Sequence, residues 1–462
     1  MNAGPAFAPR HRAPLELRAL VVIVPIALLV AVAMGYALYL FPPNGVVVLA
    51  GTVGLGGIVA LVLLRYELAV ALGFLLLGVV RAEPAPPDAI FAVAIAIAVV
   101  TGRFDLRRVP LAVFVLLGSF VVLNLISAIE AVSLQAAGRY MLITIYLAVF
   151  AIWLTSFVDS IGRARLVVRA YVAGAVFWAA ATVAALYLPL PGGEQLLAYD
   201  ATRGVGPFED PNVYGPFLIP AALIVVEEML TPRFLRSGGA VKLLMFCILA
   251  TGVVVSFSRA AWIALVVALL VQLLTLAARH GGGRRAAAML TVMVVAGTTV
   301  AGVLAVTDSL GFLNERASLQ TYDTDRFGAQ ERGLQLAEQH PFGIGPGQFE
   351  IIVDIASHST YVRALAEQGV LGFAAILALL LTTLALAARN AVLGRDTFGI
   401  GSAALLGAWT GLLINSFVVD TLHWRHLFVV AALIWAGSRR PPGQPLADET
   451  RRPRTTARPL TS

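Results

Sequence analysis

Fourteen long apolar runs fill this sequence between residues 19 and 437, and most approach the roughly 20 helical residues that a bilayer crossing requires. They fall near residues 19–41, 45–64, 66–80, 87–101, 109–129, 139–158, 166–188, 211–229, 241–256, 259–278, 286–306, 363–387, 398–419 and 425–437. Their apolar residues run continuously rather than alternating, which selects helices over a membrane barrel. With 13% charged residues and a mean hydropathy of +0.87, a soluble domain of 462 residues is excluded. The expected fold is therefore all-α: a polytopic transmembrane helix bundle. The third, fourth and fourteenth runs are short, so each could be re-entrant or half-spanning, or a pair could form one broken hairpin. Twelve to 14 crossings are expected.

The basic residues set an orientation, because Lys and Arg accumulate in short loops on the cytoplasmic side. Placing the N-terminus inside puts 24 of the 33 Lys and Arg on one side, while 17 of the 26 acids fall on the other. The pI near 9.8 thus reports topology, and no nucleic-acid partner is needed to explain it. Nine arginines run against the trend: Arg81, Arg139, Arg203, Arg259, Arg316, Arg326, Arg332, Arg363 and Arg425.

Residues 1–462 read as a single membrane domain with both termini cytoplasmic. The first run is too long for a signal h-region and no small-residue cleavage site follows, so an uncleaved first helix is expected. Residues 438–462, rich in Arg, Pro and Thr, read as a disordered cytoplasmic tail. One cysteine, Cys247, leaves no disulfide within the chain and argues against a thiol metal site. The exception to this pattern of short connectors is residues 307–362, a large extracytoplasmic loop; long loops in compact proteins are usually functional or disordered.

Four outward polar constellations stand out. In TRGVGPFEDPN, Asp210 is suited to cap a helix beginning at Pro211 and Asn212 fits a helix start, whereas Arg203 has no capping role. In SFSRAAW two spans are joined by almost nothing, so Arg259 must sit at the outer interface, either snorkelling or offering paired donors to a phosphate. Residues 325–338 read as a short amphipathic helix on the membrane face, with Phe327, Leu334 and Ala337 as its apolar stripe. Arg326, in its first turn, would pair with Asp323 or Glu331 or bind an anion, and the Gly-rich turn after it is either a plain connector or a set of amides open to an anion. The fourth is His358, a lone imidazole just before the twelfth span, able to take a proton near neutrality. His423 and His426 lack a third metal ligand and read as structural.

Taken in order, TRGVGPFEDPN, SFSRAAW, DRFGAQERGLQLAEQHPFGIGPGQF and HSTYVRALAEQGVLG resemble the O-antigen ligase and polymerase superfamily, over residues 203–372. The resemblance implies a type C-like bacterial membrane glycosyltransferase that moves a glycan from undecaprenyl pyrophosphate to an acceptor hydroxyl on the outer face of the plasma membrane. It implies no metal and no cofactor. By position, Arg203, Arg259 and Arg326 would bind the donor pyrophosphate and His358 would deprotonate or orient the acceptor, with Asp210, Asn212 and Tyr361 as further substrate-binding candidates. Implied partners are the lipid-linked glycan donor, a glycan or lipid acceptor, membrane lipid, and a flippase or chain-length regulator. Three positions depart from the pattern: Ser359 stands where Asn is common, Gln330 where an aromatic is common, and Ala260 and Ala261 where small Gly residues often follow SR.

The chemistry is reasonable without the family. A glycosyl pyrophosphate carries its own leaving group, whose developing charge guanidinium groups stabilise without a metal, and a base opposite it predicts inversion at the sugar carbon. Ligation to a terminal acceptor and polymerisation onto a new repeat unit remain equally open. A transporter of a small anion or lipid-linked glycan is the rival from another class, but transporters bury ionisable groups near mid-membrane. Here the exceptional polar residues gather on the outer side.

Overall fold

A computed structural model describes residues 45–81, 85–199, 201–279, 281–306, 311 and 321–438. The run at 19–41, the tail from 439, and residues 307–310 and 312–320 of the large loop lie outside the described residues. Among those described, seven helices are long and apolar enough to cross a membrane, and six shorter apolar helices accompany them. In chain order the helices are α1 (Gly45–Leu64), α2 (Tyr66–Leu75), α3 (Pro86–Val100), α4 (Leu111–Ser127), α5 (Leu134–Phe157), α6 (Ile161–Tyr187), α7 (Pro211–Leu230), α8 (Gly239–Val255), α9 (Arg259–Ala278), α10 (Gly283–Val306), α11 (Thr321–Gln339), α12 (Phe349–Val353), α13 (Thr360–Val392), α14 (Ser402–Asn415) and α15 (Arg425–Ser438). One two-stranded antiparallel ribbon, Leu197–Ala198 with Arg203–Gly204, interrupts them. The all-α polytopic bundle expected from the apolar runs is what the chain forms.

Close helix approach rests on small residues, as it must where lipid removes the hydrophobic drive for association. Gly407 and Gly411 of α14 meet the backbone carbonyls of Ala268 and Ala264 on α9, where a β-carbon would sit 2.5 and 2.8 Å from those oxygens. The short α2 packs its Gly73 directly against the Phe91 ring of α3, and Phe91 continues into a cluster with Phe74, Phe150 and Trp153. α7 is buried along nearly its whole length. It carries Pro216 and Pro220 in its interior, each of which removes a backbone donor. Tyr171 of α6 donates to the Phe217 carbonyl at 2.6 Å, in the turn that Pro220 loosens.

The charged side chains sort onto two ends of the bundle. At one end Arg108 and Arg163 reach Asp159, Arg169 the Phe234 carbonyl, Arg233 Asp396, Arg279 Ser402, and Arg389 the Ser438 carbonyl. All of these were assigned to the inner side by charge counting. At the other end Arg81 holds the Phe208 carbonyl, Arg425 holds Asp88, and Arg363 holds Glu350 and Asp420. Charge counting places these three arginines outward, and each is paired with a carboxylate or carbonyl at this end.

α13 contains 33 residues, which at 1.5 Å per residue would run about 50 Å, well past a hydrocarbon core of roughly 30 Å. It breaks at Gly369, whose φ of 68° and ψ of −174° are not helical. Into the break fits the turn that follows α11. Val370 donates to the Pro341 carbonyl, while Ile344 and Gly345 donate to the carbonyls of Ala366 and Glu367. The run predicted as a span from 363 to 387 is thus two pieces, and residues 360–368, including Arg363, Glu367 and Gln368, precede the break. A β-carbon at Gly369 would lie 2.3 Å from the Pro341 oxygen at a φ that favours glycine. Gly369→Ala is expected to destabilise the fold by about 1–3 kcal/mol, read as a lower melting temperature in detergent or nanodiscs.

The amphipathic helix expected over residues 325–338 is present within α11. Ala329 and Ala337 are buried, and Gly333 between them meets Val362 and Phe349. Of the expected apolar stripe, Phe327 and Leu334 are 58% and 47% exposed, while Ala337 packs inward. The helix also extends back to Thr321, so Arg326 lies in its second turn and not its first.

Candidate functional site

The ribbon Leu197–Gly204 brings Arg203 into the bundle end, where the residue is only 6% exposed. Its Nε donates to the Ser256 carbonyl at 3.0 Å, and its guanidinium lies over the Tyr199 ring at 5.1 Å. Ser256 begins the three-residue link between α8 and α9. Phe257 takes a positive φ of 48°, and Ser258 caps α9 by accepting from the Ala261 amide. That tight turn is why Arg259 is the first residue of α9, half-buried at the same end of the bundle as Arg203.

The capping pair on α7 meets this turn. Asp210 is the N-cap, its Oδ1 accepting from the Asn212 backbone and side-chain amides at 2.8 and 2.9 Å. Asn212 Oδ1 in turn accepts from the Ser258 hydroxyl at 2.7 Å. A continuous polar layer therefore runs from Asp210 through Asn212 to Ser258. Arg203, held at Ser256, adjoins it. The expectation that Asp210 is an N-cap holds, and Asn212 is buried with its side chain committed to the link.

His358 lies within electrostatic reach of Asp210 in this layer. It is half-buried, and it too has a positive φ, 47°. Burial lowers its imidazole pKa from the usual 6.5, the Arg326 guanidinium lowers it further, and the Asp210 carboxylate acts in the opposite sense. Both charges are thus near enough to be felt at the ring. His358 is followed by Ser359, which caps α13 by accepting from the Val362 amide, a role that Asn also fills. The departure from the family pattern at that position leaves the cap intact.

Tyr361 goes elsewhere. Its hydroxyl donates to the Leu413 carbonyl of α14 at 3.0 Å and its ring packs on Phe417 at 4.5 Å, so it is used in packing α13 on α14. The Gly-rich turn does not offer its amides to an anion either. Gly347 and Phe349 donate theirs to the buried carboxylate of Glu367, at 2.9 and 3.1 Å. His423 contacts Thr144 Oγ1 at 3.1 Å and packs on Tyr140, and burial pushes its pKa down to about 4. His423 is half-buried, and His426, enclosed by Phe217 and Trp424, is a core group. Among the described residues no cluster of three His, Cys, Asp or Glu side chains could hold a metal ion.

Two participants were not singled out from sequence. Ser258 was visible only as the Ser of an SR pair; a Ser immediately before a helical run is the cap signal that could have found it. Gln330, noted only as a departure, donates its Nε2 to the His358 carbonyl at 3.3 Å. It stands four residues after Arg326, the spacing that puts two side chains on one helical face.

No curated protein matches this chain. A family model described as O-Antigen ligase matches residues 244–377. The match runs from within α8 to beyond the Gly369 break, so it includes Arg259, Arg326, His358 and Tyr361 but ends short of Arg203, Asp210 and Asn212. Proteins of this family are glycosyltransferase-like membrane enzymes of surface-polysaccharide assembly that act on lipid-linked glycan and an acceptor. Helices, turn and histidine lie within one matched segment, and over that segment the chain is similar to the O-antigen ligase family.

Proposed function

We propose that this protein transfers a glycan from undecaprenyl pyrophosphate to an acceptor hydroxyl on the extracytoplasmic face of the bacterial plasma membrane, with inversion and without a metal ion. The observation that carries this reading is the meeting of three chain segments at one bundle end: the Arg203 ribbon on the α8–α9 turn, the Asp210–Asn212–Ser258 layer, and His358 under the charges of Arg326 and Asp210.

In the reaction, the acceptor oxygen forms a bond to the anomeric carbon as the bond from that carbon to the pyrophosphate oxygen breaks. The acceptor proton passes to His358, and the electron pair leaves on undecaprenyl pyrophosphate. A lowered pKa keeps the imidazole neutral at pH 7 and able to accept that proton. Arg203, Arg259 and Arg326 stabilise the charge that develops on the leaving group, where paired guanidinium donors match phosphate oxygens. The aromatic and aliphatic surfaces between the spans receive the polyprenyl chain. The same step builds a polymer when the acceptor is a lipid-linked repeat unit and a ligated product when it is a terminal lipid.

The test is transfer of labelled glycan from undecaprenyl pyrophosphate by the purified protein in EDTA. The Arg203→Ala and Arg259→Ala variants, each checked for a monodisperse fold, are expected to lose about 10²–10³ in rate, the usual loss when one charge-stabilising donor is removed. Product length separates polymerisation from ligation. Transfer at the wild-type rate in both variants would refute the assignment of the site.

A further inference from the structure

We propose that Gln330 is a positioning residue: through the His358 carbonyl it fixes the turn that carries the imidazole and couples that turn to the helix bearing Arg326. The inference rests on the reading of His358 as the base, and it concerns a residue at which this chain departs from the family pattern.

His358 sits in the left-handed backbone region, with φ 47°. A residue with a β-carbon stays there only where its surroundings hold it. On its C-terminal side the hold is the α13 cap, with Ser359 accepting from Val362 and Ser357 donating to the Ser359 carbonyl at 3.2 Å. At His358 itself the carbonyl accepts from Gln330 Nε2. This hydrogen bond comes from a different helix, α11, and so does more than stiffen the turn locally.

Spacing gives the bond its consequence. Arg326, Gln330, Gly333 and Ala337 recur at intervals of four, three and four, so they line one face of α11. The later two seat that face on α13 and α12: Gly333 lies against Val362 and Phe349, and Ala337 is buried. Gln330 lies between this anchor and Arg326. It fixes the height of the His358 turn against the same helix face from which Arg326 acts on the imidazole. Gln330 touches the backbone rather than the ring, so it acts through His358 and not on the substrate.

Gln330→Met keeps the side-chain length and removes the donor. In the full-length protein, kcat is expected to fall about tenfold or more, the scale on which small displacements of a catalytic group are felt. The donor KM should stay within about twofold, because no phosphate ligand is removed. The melting temperature should follow the wild type. Wild type and His358→Ala are assayed alongside. An unchanged kcat in Gln330→Met, with His358→Ala inactive, would overturn this inference and leave the functional reading standing. So would a fall in kcat accompanied by a matching rise in KM and a lower melting temperature, which marks a merely structural role. If His358→Ala transfers at the wild-type rate, the functional reading fails and this inference fails with it.

Discussion

Replacing Glu367 by alanine is expected to destabilise the folded protein by about 3–5 kcal/mol, the usual loss when one partner of a buried ion pair is removed. Glu367 is fully buried, with no exposed surface. Its carboxylate accepts from the Gly347 and Phe349 amides and pairs with Arg363 Nε at 3.2 Å. Truncation would leave two buried amides without their acceptor and one guanidinium with less compensation. Glu367→Gln should cost less. It retains an acceptor for one amide, and Arg363 keeps Glu350 and Asp420 as partners. Melting curves of the three proteins in the same lipid provide the measurement: the order wild type, Gln variant, Ala variant is expected, and an Ala variant melting with the wild type would show that the carboxylate does not hold the turn. Because that turn sits in the α13 break and leads through α12 to His358, loss of the latch should also reduce transfer.

The role of Glu367 shows where reading the sequence stops. The apolar runs were legible because the bilayer imposes a length and a composition on every crossing. The break at Gly369 was not. A lone glycine inside a helical pattern is ordinarily tolerated, and only the turn from Pro341 to Gly345, brought against it by the fold, turns that glycine into a requirement. The Gly-rich turn itself had two readings from sequence, and the choice between them depended on a carboxylate some twenty residues further on.

The packing contacts of α11 were not legible for a different reason. The large side chains Phe327 and Leu334 are exposed, while Ala329, Gly333 and Ala337, which no size or polarity marks out in the sequence, let the helix approach its neighbours closely. Of the candidate site, Arg203 and His358 were readable as polar residues without a structural role in the sequence, and Asp210 and Asn212 as a helix cap and start. Tyr361 was carried by its motif alone, and its hydroxyl turned out to be committed to α14. Ser258 and Gln330 look ordinary in the sequence; what marks them is the partner each meets across the fold.

On the proposed mechanism His358→Ala should lower the transfer rate by about 10²–10⁴, the range that a positioned general base contributes. The decisive form of this prediction is a pH profile, because a histidine needed only for packing would leave the profile's shape alone. The active base is the neutral imidazole, so the rate should rise as pH increases through its pKa and then level off. Burial and Arg326 set that pKa below 6.5, so the acid limb should lie below the range of an ordinary histidine. The two neighbouring charges then give opposite signs. Arg326→Gln removes a charge that disfavours the imidazolium, so the limb should move to higher pH; Asp210→Asn removes one that favours it, so the limb should move lower. Both substitutions reduce the absolute rate through the layer they belong to, but only a titrating His358 makes the limb travel in two directions. Two limbs that stay at the wild-type position would assign the pH dependence to some other group and remove His358 from the role of base.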